Sequence, residues 1–143
     1  QGSSFFSTNK GLAINSLIKK QFFNFGRYEI EFLFPINNKK TSSIYACDIC
    51  LKHFYGSSIA FQRHNAKCLS IQPPGKLVYK ENDLAIFQIG ETKLNIKQYI
   101  YIKSLCRIAR LFINSNKSID DTKIDRFTYY ILCRRDPILS QCQ

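Results

Sequence analysis

Cys47-Asp48-Ile49-Cys50, followed by His64 and Cys68, is the stretch that decides how the rest of the chain is read. Two residues separate the first pair, thirteen lead to the histidine and three more to the last cysteine. Two residues between cysteines suit a tight knuckle that turns both sulfurs toward one ion. Three residues between His64 and Cys68 place that pair at i and i+4 of a helix. Thiolate and imidazole donors at a tetrahedral centre favour zinc over magnesium or calcium, which prefer oxygen. The expected fold is therefore a ββα-type C2HC zinc finger with Cys47, Cys50, His64 and Cys68 as ligands. The competing readings are four unconnected residues or a Cys47–Cys50 redox pair.

The residues between the ligands fit a finger. A ββα module needs an aromatic shortly after its second cysteine and a hydrophobe just before its histidine, and Phe54 and Phe61 serve, with one extra residue between them. So small a unit cannot build a core alone and leans on its metal. His53 follows Cys50 too closely to complete the helical pair with Cys68, so it reads as a surface or packing residue. A base-reading finger would present helix positions −1, 3 and 6 to the major groove. Here these are Ser57, Ala60 and Arg63, and Ala60 cannot form a base-specific hydrogen bond. The finger reads as architectural.

Outward from the finger, strands outnumber helices and the class is α+β. Residues 1–24 read as a flexible lead, with Leu12, Ile14, Leu17, Ile18 and Phe22 able to form one face of a short helix. From Arg27 to Phe34 the chain alternates. Tyr28, Ile30, Phe32 and Phe34 face one way, as in a half-buried strand that Pro35 ends. Pro73-Pro74-Gly75 breaks the chain after the finger. Two strand-like runs follow, Lys76 to Lys80 and Leu84 to Ile89, then a turn at Gly90-Glu91-Thr92. Tyr99 to Asn116 has helical periodicity, with Tyr101, Leu105, Ile108, Ala109 and Phe112 on one face. A polar loop leads to Phe127-Thr128-Tyr129-Tyr130-Ile131-Leu132, which reads as a buried strand.

Composition narrows the setting. In 143 residues, 21 Lys and Arg face 10 Asp and Glu, a formal charge of +11. Such a surplus suits a polyanionic partner, as in chromatin, with weak or non-specific nucleic-acid contact. The charge is diffuse, however, and no basic stripe stands out. A 45% hydrophobic content excludes a disordered tail, and no window supplies the apolar run of a membrane span. The CxxC spacing argues against a secreted disulfide framework for the six cysteines. With no Met anywhere, the chain reads as a piece of a longer protein or a processed product.

Together these segments resemble the MYST family of histone acetyltransferases. The likeness runs from Phe25-Gly26-Arg27-Tyr28-Glu29-Ile30 through the ligand set. It continues in Pro73-Pro74-Gly75-Lys76-Leu77-Val78-Tyr79, Ile86-Phe87-Gln88-Ile89, Leu105-Cys106, Ala109-Arg110-Leu111-Phe112 and Phe127 to Leu132, covering about residues 23–133. The resemblance implies an opening strand and finger over 25–72, packed on the first part of a GNAT-like acetyltransferase domain over 73–143. It also implies acetyl-CoA as cofactor of the full-length member, and histone tails or nucleosomes with other complex subunits as partners. It implies a nuclear location and a loop lysine that members acetylate on themselves. Lys117 is its nearest match and Lys123 the alternative.

The resemblance stops short of the chemistry. The family's acetyl-CoA loop is glycine-rich because backbone N–H groups must approach a pyrophosphate closely. None of the six glycines here lies two residues from another. Cys133 and Cys142 do not match the family's nucleophile, and Cys106 reads as a small core residue. No catalytic residue is assigned, and a fragment of this extent is expected to be inactive alone. The alternative is a non-catalytic zinc-binding chromatin or protein-interaction module.

Overall fold

The computed structural model describes residues 20–33, 43–113 and 120–134. Its first sheet holds β1 (Phe22–Phe25), β2 (Tyr28–Glu31), β3 (Ser43–Ala46) and β4 (His53–Tyr55) in the order β2-β1-β3-β4. The β1–β3 pair is parallel and the other two are antiparallel. A second sheet holds β5 (Lys76–Glu81), β6 (Leu84–Ile89) and β7 (Tyr129–Arg134), all antiparallel in that order. Two helices complete the fold, α1 (Ser58–Asn65) and α2 (Ile96–Phe112), with a 3-10 turn at Asp121–Arg126. The α+β class is as expected.

Register explains how the first sheet carries a helix on each face. Phe23 lies opposite Ile44, and Phe25 opposite Ala46, so these side chains share one face. There they form a core with Phe32 and with Leu111 of α2. Tyr45 lies opposite Phe54 on the other face, where Phe61 of α1 stacks on Tyr45 at 5.5 Å and meets Phe54 edge-on at 6.0 Å. The finger thus shares a sheet with the opening hairpin.

Helix α2 is the spine between two cores. Tyr101, Ile102 and Cys106 join Leu51, Ile89 and Ile124 in one cluster, while Leu111 belongs to the other. Leu105, Ile108 and Phe112 pack on these cores as expected, and Cys106 is the core residue it reads as; the expected face omitted Ile102 and Leu111, and its Ala109 belongs to neither cluster. A helix between two sheets needs a wider apolar stripe than one lying on a single surface. Helix α2 also starts earlier than its apolar period suggests. Asn95 caps it, accepting from the Gln98 N–H at 3.0 Å, while the Gln98 side chain accepts from the Asn95 N–H at 3.1 Å.

Other expectations change at the edges. Phe22 opens β1 rather than closing a helix; Leu12, Ile14, Leu17 and Ile18 lie outside the described residues. Strand β1 therefore begins inside the stretch assigned to the lead, since Phe22-Phe23-Asn24-Phe25 is aromatic enough to be a strand. The alternation from Tyr28 continues as expected, but β2 is a fully exposed edge strand. Strand β7 is half-buried rather than buried. Tyr129 and Ile131 pack on the α2 core, whereas Tyr130 and Leu132, on the other face, are 64% and 66% exposed among the described residues. Strands β5 and β6 fall where predicted. Gly90, in the expected turn, has φ +95°, and a Cβ there would lie 2.5 Å from the Phe127 carbonyl oxygen. Only glycine fits that crossing point.

Candidate metal centre

The knuckle between β3 and β4 is shaped by its backbone. The Cys47 N–H donates to the Lys52 carbonyl at 3.1 Å, and the Leu51 N–H donates to the Cys47 carbonyl at 2.9 Å. Closing so tight a loop puts Leu51 in the left-handed region, φ +59°. Past the knuckle, Ser57 caps α1 by accepting from the Ala60 N–H at 3.2 Å.

These elements bring Cys47, Cys50, His64 and Cys68 together, their ligand atoms all within 4.8 Å of one another. Cys50 Sγ and His64 Nε2 are 3.2 Å apart, and Cys47 and Cys68 Sγ are 3.9 Å apart. A tetrahedral ion with metal–sulfur bonds of about 2.3 Å has sulfur–sulfur edges of about 3.8 Å, so the cluster has the dimensions of a four-coordinate site. One detail differs from expectation. Helix α1 ends at Asn65, with the Lys67 N–H donating to the His64 carbonyl. Cys68 therefore reaches the cluster from the loop beyond the helix, not from its face.

The electrostatics suit a cation. Burial first, with the Cys47 and Cys68 thiols adding to it, pushes the Cys50 thiol up to about 12, despite a hydrogen bond from the Lys52 backbone. At Cys68 burial pulls upward, but the Ser70 backbone N–H and the neighbouring thiols outweigh it and lower the thiol. Burial and the Lys52 charge lower His64, favouring the neutral imidazole that a metal requires. A divalent ion would reverse the balance at Cys50 and hold the thiolate. Phe54 lies 5.2 Å from the His64 ring and limits its movement.

His53 is not part of the cluster. It sits on β4 with its Nε2 buried and without a hydrogen-bond partner among the described residues. Burial and then the Arg107 charge pull it down to about 4 from 6.5. It is a packing residue, as expected, and it makes a pH prediction. The unfolded chain takes up this proton near pH 6.5, before the folded one can. Stability is therefore complete above pH 6.5 and lost as pH falls toward 4. Allowing for partial solvent access, about 1–2 kcal/mol should be lost by pH 5. Urea titrations of wild type and His53→Gln at pH 7.5 and 5 should show the smaller pH loss in the variant; equal losses would exclude His53 as the source.

Of the remaining site residues, Lys117 lies outside the described residues, and Lys123 is exposed on the 3-10 turn. Cys106 is buried in the core, and Cys142 lies outside the described residues. The sequence did not announce Leu51 or Ile124, two buried side chains that tie the knuckle and the 3-10 turn to α2. An apolar residue directly after CxxC was the available signal for the first. Among the described residues no helix is long and apolar enough to cross a membrane.

Comparison with known proteins gives one answer. Residues 72–142 match the MOZ/SAS family. The chain is 33% identical to histone acetyltransferase SAS3 of Saccharomyces cerevisiae over 72% of its length, 12% of that protein. It is 31% identical to histone acetyltransferase mst1 of Schizosaccharomyces pombe over 72%, covering 21% of that protein. With histone acetyltransferase MOF of Drosophila melanogaster it shares 32% over 78%, covering 13% of that protein. The chain thus spans about a fifth or less of the length of these curated relatives.

Proposed function

The chain belongs to the MYST family of histone acetyltransferases, and from that premise we propose that it is the finger-bearing part of an enzyme transferring acetyl groups from acetyl-CoA to lysine amines in chromatin. Within it, residues 25–72 carry the opening hairpin and finger, residues 73–143 begin a GNAT-like domain, and residues 1–24 lead in. The observation that carries this reading is the likeness to histone acetyltransferases over 72–78% of the chain, supported by the knuckle's Leu51 packing in one core with α2 and β6. The metal is zinc, because three thiols and one imidazole at tetrahedral spacing suit its softness and lack of geometric demand.

Acetyl transfer then belongs to other parts of the parent protein. Without closely spaced glycines, these residues offer no phosphate cradle of the family's kind. The family's partners, histone tails within a multi-subunit nuclear complex, accord with a chain of net charge +11. The self-acetylated lysine is Lys117, with Lys123 the alternative.

The parent polypeptide should transfer labelled acetyl groups from acetyl-CoA to a histone-tail peptide. Residues 1–143 alone should give no saturable micromolar heat with acetyl-CoA in calorimetry. Micromolar binding by this segment would displace the cofactor site into it. A parent that transfers nothing to lysine would favour the non-catalytic module.

A further inference from the structure

Leu51 occupies a conformation that disfavours any side chain with a Cβ, yet that side chain is only 3% exposed. Glycine would take φ +59° without strain, so what the leucine contributes is its side chain. It lies in one cluster with Ile89 of β6, with Tyr101, Ile102 and Cys106 of α2, and with Ile124 of the 3-10 turn. The knuckle that aims it spans only Cys47 to Lys52 and is closed by two backbone hydrogen bonds, with two of the three cluster thiols on it.

The 3-10 turn needs such support. It runs for six residues, more than this helix type usually sustains by itself. Ile124 is its one buried residue, fully enclosed, and the Tyr129 hydroxyl donates to the Ile124 carbonyl at 2.8 Å. Arg110 of α2 pairs with Asp121 at 2.6 Å, but both side chains are about one-third exposed, so the pair adds little. What holds the turn is chiefly the pocket around Ile124.

We propose that Leu51 is a positioning residue through which a metal at the Cys47–Cys50–His64–Cys68 cluster sets the order of the 3-10 turn Asp121–Arg126. The proposal rests on the metal reading of that cluster. A bound ion fixes the knuckle, the knuckle fixes Leu51, and Leu51 completes the apolar pocket that holds Ile124. When the ion leaves, Leu51 loses its aim, and the turn opens with its trypsin sites at Lys123 and Arg126.

Hydrogen exchange by mass spectrometry on the 143-residue chain tests this, with tryptic cleavage at Lys123 and Arg126 as a second readout. Wild type, Leu51→Gly and Leu51→Met are compared with zinc bound, and wild type also after chelation. Chelation should speed exchange across 121–126 at least tenfold. Leu51→Gly should keep one equivalent of zinc yet show the same acceleration there, with less than threefold change in β1 and β3. Leu51→Met, unbranched but apolar, should return to within threefold of wild type. Three results would each overturn the proposal: wild-type exchange at 121–126 in zinc-loaded Leu51→Gly, equal acceleration in β1, β3 and the turn, or loss of zinc from that variant. Zinc content of the wild type reports on the metal reading alone, so the two ideas fail separately.

Discussion

Cys47→Ser should weaken the chain's hold on zinc about a hundredfold and destabilise the finger with it. Cys47 is the most enclosed of the four cluster residues, so no water or neighbouring side chain can readily replace its thiolate. Apparent zinc binding in finger peptides is worth about 10–16 kcal/mol. Losing one of four ligands should remove about 3 kcal/mol, roughly a hundredfold in affinity. Chelation of the wild type should do more, because α1 is only eight residues long and buries no residue fully by itself. Affinity should also fall with pH. In the metal-free chain the Cys50 thiol, pushed up to about 12, is protonated across the neutral range. Binding must therefore expel that proton, and each proton expelled weakens affinity about tenfold per unit of acidification. Competition with a chromogenic chelator at pH 6.5, 7.5 and 8.5 measures both effects. Wild-type zinc affinity in Cys47→Ser, or a pH-independent affinity, would contradict the four-ligand assignment.

The four-residue cluster was legible because residues meant to share one ion leave a spacing in the sequence that little else produces, and the fold brings these four within 4.8 Å of one another. Strands β5 and β6 were legible for a similar reason, since alternation and turn residues are local signals. What the sequence hid was set by partners distant along the chain. Strand β7 reads as buried from its composition, but burial depends on whether anything covers its second face. The 3-10 turn reads as a polar loop because Ile124 is a single apolar residue among charges, with no period to betray it. Cys68 lies beyond the α1 terminus because a spacing of i to i+4 is compatible with a helix without requiring one. Leu51 could not be read as left-handed, since that conformation is ordinarily signalled by glycine or asparagine. The buried face of α2 was misjudged by one flank because a helical wheel shows one stripe, whereas two cores demand a broader one.

That broader stripe leads to the second large effect. Ile102→Ala should destabilise the chain by about 3–5 kcal/mol, the upper part of the range for such a deletion. Ile102 is fully enclosed, and its cluster draws side chains from the knuckle, β6, α2 and the 3-10 turn. Elements held in separate ways cannot all shift to fill one gap, so the cavity should persist and its cost should add to the lost transfer energy. Ile102→Val removes one methyl group and should cost about 0.5–1.5 kcal/mol. Lys103→Ala, one position on and outside both buried clusters, should fall within about 0.5 kcal/mol of wild type. Urea unfolding with zinc present, followed by circular dichroism, gives all three values. If Ile102→Ala cost no more than Ile102→Val, the pocket could collapse freely, and α2 would not be the shared spine of the two cores. A large loss confined to Ile102→Ala would instead show that knuckle, second sheet and 3-10 turn depend on one residue of that helix.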